Sequence, residues 1–126
     1  MKFTGKWQGH QGDVQIFSID ELPKGAKKIK KGFIAKSEKT GNVHALCGDY
    51  EMYEVPETNS FVVEVGTDGA TLNHTGLQEL TPEYWDKNTV FPYIDHKPTT
   101  FTKGLYYIGI QRRKKPFSKV WQKVID

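Results

Sequence analysis

The chain has 126 residues, 37% of them hydrophobic and 26% charged, enough for one compact domain and too few for a large multidomain enzyme. Its formal net charge of +3 is unevenly spread: residues 1–40 sum to +5, residues 41–100 to −8 and residues 101–126 to +6. A single cysteine, Cys47, excludes an internal disulfide and a cysteine-built zinc module, and no run approaches the roughly 18 apolar residues of a membrane span. The start MKFTGKWQGH lacks the apolar stretch of a signal peptide, so we expect an intracellular protein that makes no membrane contact.

In chain order, Val14 and Ile16 alternate as one face of a first strand, and a Pro-Lys-Gly turn and a lysine-rich connection lead to a second through Phe33 and Ile34. NVHALCG, YEMYEV and SFVVEVG then alternate apolar and polar residues, separated by turn chemistry at Gly48-Asp49 and at residues 56–59. Ala70 to Asn73 adds a short strand, and LYYIGIQRR is the most strongly β-forming run. Two segments read as helical. Thr81 is an N-cap candidate with Pro82 at the first helical position, for one or two turns. In KPFSKVWQKVID, Phe117, Val120, Trp121 and Val124 form one apolar stripe behind Pro116. The prediction is an all-β fold, a small barrel or sandwich of about six to seven strands, with a C-terminal amphipathic helix. It forms a single domain over residues 1–126: a β meander over 11–75, an aromatic loop insertion over 76–102, a strand over 103–113 and a helix over 116–125.

Three sets of residues could carry function. His44, His74 and His96 would lie near one another if their segments meet at one end of the fold. Three imidazoles with Asp95 nearby suit a divalent metal, although spacings of 30 and 22 residues impose no shared face. Tyr84, Trp85, Phe91 and Tyr93 load a proline-interrupted loop with aromatic area, the usual anchor of an interface, and Trp121 could add another from the tail. Lys27, Lys28, Lys30 and Lys31, with Arg112, Arg113, Lys114 and Lys115, could track a phosphate backbone. Cys47 stands in an acidic stretch that opposes thiolate formation and is expected to be a small buried hydrophobe, and Glu51 and Glu64 on strands carry no specific sign of a carboxylate pair at work.

Strung together, QGDVQIFSIDELPKGAKKI, AKSEKTGNVHAL, GDYEMYEV, GATLNHT and HKPTTFTKGLYYIGIQRR with its final PFSKVWQKVID set an order of motifs. This order resembles a family of small, uncharacterised bacterial and bacteriophage proteins with the pattern QGDVLLxPVDELPxGA, GExTGHxH, VELYE, LTHxxHxPI and PGxYxVxxQREYxP. The resemblance covers residues 11–126. Asn42 stands where the family pattern has its first histidine, and about twenty residues separate His74 from His96, which takes the place of the next. The resemblance implies a bacterial or phage setting, the host cytoplasm or the virion, and no particular reaction.

We therefore expect a non-enzymatic binding or assembly module without a resident cofactor, whose partners are protein subunits in a homo- or hetero-oligomer. As a bacteriophage accessory or structural protein, it would meet those subunits through its basic ends and aromatic loop. A cupin-like metal-binding barrel or metal-dependent enzyme, using a divalent metal, is the alternative carried by the histidines. A barrel binding nucleic acid or a nucleotide signal is the alternative carried by the basic clusters.

Overall fold

The computed structural model describes residues 5–36, 41–56, 58, 60–93 and 96–110. Their strands are β1 (Lys6–Gln11), β2 (Val14–Ile19), β3 (Lys27–Ile29), β4 (Phe33–Lys36), β5 (Val43–Val55), β6 (Ser60–Thr75), β7 (Thr99–Phe101) and β8 (Gly104–Ile110). All pair antiparallel in one sheet of order β1-β2-β8-β6-β5-β3, with β4 also on β5 and β7 also on β6.

The sheet is not closed into a barrel, and it has two arms joined through its longest strands. Gly48-Asp49, expected as a turn, is a bulge inside one continuous β5. Gly48 pairs with Ala70 and Tyr50 with Val65, so residues 66–69 of β6 stand against Asp49 alone. Asp49 fills that irregularity: its carboxylate lies against Gly66 and accepts a hydrogen bond from the Asp68 backbone N–H. Bulges bend strands, and this one divides both strands between arms. The first arm holds β1, β2, β8, β3 and residues 50–55 and 60–65 of the long hairpin. The second holds β4, β7 and residues 43–48 and 70–75.

The alternation of each strand decides which core it feeds. Val14, Ile16, Met52, Val63 and Ile108 of the first arm share the main core with Ile34, Leu46, Leu72 and Phe101 of the second. Burial of each such side chain contributes about 1.5–3 kcal/mol, so this is the largest stabilising body of the molecule. On the opposite face of the first arm, Ile19, Val55, Val62 and Tyr107 form a smaller cluster with Phe17, Tyr53 and Leu105 at its margin. On the opposite face of the second arm, Val43, Ala45 and Cys47 are covered by Tyr84, with Leu80, Trp85 and Phe91 packed around it.

No α-helix occurs among the described residues; their helical turns are of the 3-10 type, Leu77–Glu79 and Tyr84–Asp86. The helix expected behind Thr81 is a turn in which the Tyr84 N–H donates to the Thr81 carbonyl at 3.0 Å, followed by this second 3-10 turn, in which the Lys87 N–H donates to the Tyr84 carbonyl at 3.4 Å. The backbone becomes extended at Lys87, which ends the turn there. The helix expected over 116–125, with Trp121, and residues 111–113 of the expected last strand lie outside the described residues. Three short strands, β1, β3 and β7, were not expected from the sequence.

Candidate functional site

The inner face of the second arm changes character at its end. His44 and His74 are direct cross-strand partners, and Leu46 and Leu72 pair one step further in. Residues two apart on a strand share a face, so the imidazoles extend the leucine layer of the main core toward the rim. His44 and His74 are both buried, and their rings stack with centroids 4.3 Å apart. His96 arrives from the loop before β7 and lies 4.7 Å from the His74 ring and 6.0 Å from the His44 ring. Three histidines separated in sequence therefore form one cluster.

The turn from β1 to β2 closes this end. Gln11 is buried, and its Nε2 donates to the carbonyls of Leu72 at 2.8 Å and Lys97 at 3.0 Å. With both amide hydrogens used, its Oε1 is the acceptor facing His44 Nδ1 at 2.7 Å. His44 thus carries its proton on Nδ1 when neutral, and Nε2 carries the lone pair. Next to it, Gly12 adopts a φ of 58°, and a Cβ there would stand 3.0 Å from His96 Nε2 and 3.4 Å from His44 Cε1, so glycine suits a turn lying this close to the rings. The role of Gln11 was not read from the sequence; its place in QGDV was the available sign.

The three rings are gathered but not convergent. Stacked rings hold their in-plane lone pairs side by side. As they stand, no group of three His, Cys, Asp or Glu side chains among the described residues surrounds a common point as metal ligands do. Asp95 lies outside the described residues.

The aromatic loop is folded against the second arm. The Tyr84 hydroxyl donates to the Ala45 carbonyl at 2.7 Å and accepts from Asn73 Nδ2 at 3.0 Å. Burial holds that hydroxyl protonated well above its ordinary range. Asn73 also binds the loop backbone, donating to the Thr89 carbonyl at 2.8 Å and accepting from the Phe91 N–H at 2.9 Å. Trp85 and Phe91 are half-buried against Tyr84, in edge-to-face contact with it. Cys47 is fully buried beneath this loop. The outward residues of the segment are Leu77, Val90 and Tyr93, exposed by 48, 60 and 52%.

Two of the described lysines of the 27–31 group are engaged in ion pairs. Lys28 pairs with Glu51 at 3.0 Å, and this hydrogen-bonded carboxylate raises the Lys28 pKa. Lys31 is turned inward: its Nζ donates to the Gly48 carbonyl at 2.9 Å, pairs with Asp86 at 2.8 Å and sits 4.6 Å over the Tyr50 ring. Lys27 and Lys30 are exposed. Residues 112–115 lie outside the described residues. Glu51 and Glu64 face each other across β5 and β6, both exposed, and line an open cleft of about 510 Å³ with Asp20, Asp49 and Lys103.

Every segment of this arrangement, from the turn behind Gln11 to the end of β8, falls within residues 10–111, which match the sequence pattern described as Domain of unknown function (DUF8820). The chain belongs to that family. The DUF8820 match takes in Gln11 and all three clustered histidines, and it ends before most of the basic tail. No curated protein and no solved structure matches the chain. No described helix is long and apolar enough to cross a membrane.

Proposed function

We propose that the chain is a non-enzymatic binding module that contacts other protein subunits, and that the outer surface of the 76–93 segment is its contact face. One observation carries this reading: of the six large hydrophobic residues exposed among the described residues, Leu77, Val90 and Tyr93 belong to this one segment. Its inner residues are committed to the second arm, so the segment is held as a firm platform while its apolar outer residues meet water. Exposed apolar side chains concentrated on a fixed loop favour burial against a partner.

The most concrete version is an accessory or structural protein of a bacteriophage particle. It is supported by the order of motifs, which resembles that of small bacterial and phage proteins. In that role Tyr93 serves as the exposed anchor, with Trp85 and Phe91 supporting it from beneath. The unequal charge of the chain would steer the acidic middle of one copy toward the basic ends of another.

Sedimentation velocity of the full chain over a range of concentrations tests the reading, alongside Val90→Glu and Tyr93→Glu. Association with its own copies or with co-expressed neighbours should weaken at least tenfold in either variant while the unfolding midpoint stays put. A wild-type chain that neither self-associates nor captures a neighbouring subunit would end it, as would association unaffected by both substitutions.

A further inference from the structure

We propose that His44, His74 and His96 form a binding site for one divalent ion of the zinc or cobalt class, entered by rotation of the His74 and His96 rings toward a His44 held by Gln11, rather than by movement of the backbone. This inference stands apart from the assembly reading.

The first support is spacing. In a tetrahedral site with metal–nitrogen bonds of about 2.0–2.1 Å, imidazole centroids stand roughly 5 Å apart. The present separations are 4.3, 4.7 and 6.0 Å, on both sides of that value. The backbone of β5, β6 and the loop before β7 therefore already holds the rings at ligand spacing. What separates stacking from convergence is ring orientation, and the terminal torsion of histidine is broad and soft.

Gln11 is the second and independent support. Metal-binding histidines characteristically donate their other ring N–H to a fixed acceptor, which sets the tautomer and aims the lone pair. Gln11 does this for His44: two backbone carbonyls fix its amide, and its Oε1 receives the Nδ1 proton. A buried glutamine held by residues as distant as Leu72 and Lys97 is a costly way to orient an imidazole that only fills space. Neutral imidazoles are borderline ligands that suit zinc and cobalt over calcium or magnesium, which take oxygen. Gly12 keeps the turn backbone close over the rings without filling the space between them.

Cobalt(II) supplied to the chelator-treated full-length protein tests the site, because tetrahedral cobalt has intense visible bands that octahedral aqueous cobalt lacks. One equivalent should bind and give those bands, and zinc should displace it one for one. His96→Gln, on a loop and partly exposed, should abolish the bands without altering the unfolding midpoint. Gln11→Leu should weaken binding about 10- to 100-fold with all three histidines still present. Bands that survive in both His96→Gln and His74→Ala would overturn the proposal. So would bands lost only in His10→Ala, because His10 is an exposed histidine outside the cluster, or the absence of stoichiometric uptake.

Discussion

The Tyr84 hydroxyl lies 2.7 Å from the Ala45 carbonyl, and this bond ties the middle of the aromatic segment to the central strand of the second arm. Asn73, on the neighbouring strand, donates to the same hydroxyl and holds the segment at Thr89 and Phe91 as well. An irregular stretch is thus fastened by one side chain, Asn73, and one backbone carbonyl, that of Ala45, which the sheet itself supplies.

Tyr84→Phe removes one hydroxyl from this arrangement and leaves buried polar atoms short of a partner. We expect a loss of about 1–2 kcal/mol in urea unfolding with an unchanged m-value. Tyr84→Ala should cost about 3–5 kcal/mol, because it also opens a cavity over Val43 and Ala45. Equal costs for the two would mean that the bond, and not the packing of the ring, holds the segment.

Gly48 adopts a φ of 125°, and a Cβ there would stand 2.5 Å from the Gly69 carbonyl oxygen, a backbone atom that cannot swing aside. Gly48→Ala should therefore destabilise by more than about 2 kcal/mol. Gly32, with open space at its Cβ position, provides the control: Gly32→Ala should stay within about 0.5 kcal/mol of wild type. Thermal unfolding of both variants checks the contrast.

Lys31 joins three parts of the molecule at once: the bulge through the Gly48 carbonyl, the second 3-10 turn through Asp86 and the core through the Tyr50 ring. Lys31→Met keeps most of the stem and removes the charge. We expect a loss of about 1–2 kcal/mol that depends little on salt, since the amine is largely shielded. A strong salt dependence would instead place its main interaction at the surface.

Burial raises the pKa of the Tyr50, Tyr84 and Tyr107 hydroxyls above the ordinary value of about 10. The unfolded chain then releases protons that the folded chain keeps. Stability is unaffected by these groups below about pH 10 and falls as pH rises beyond it. Tyrosinate absorbance should show these three ionising together with loss of tertiary circular dichroism. Smooth ionisation of all the tyrosines before unfolding would contradict this.

Much of the fold was legible because alternation is a local property. Val14 and Ile16, the runs through β5 and β6, and LYYIGI each announce a strand within a few residues. The bulge was not legible: Gly48-Asp49 has the same composition as a turn, and only pairing with the opposite strand distinguishes the two. The strand Lys27–Ile29 was hidden for a related reason, since its lysines sit on an edge where pairing and not burial makes the strand. The cluster was half legible. Three histidines could be named, but their meeting depends on the register that sets His44 opposite His74, and an intervening span of 30 residues carries no mark of that register. Gln11 gave less warning still, because a buried amide and a solvated one look alike in sequence.

The shared hairpin has a mechanical consequence. Because β5 and β6 each run through both arms, neither arm owns a complete set of strands, and opening one strips hydrogen-bonded partners from the other. Amide hydrogens at Leu46 and at Met52, in different arms, should exchange with the same free energy of opening, that of the whole domain. A ligand held at the rim by His44 and His74 would be felt equally at the far end of the hairpin.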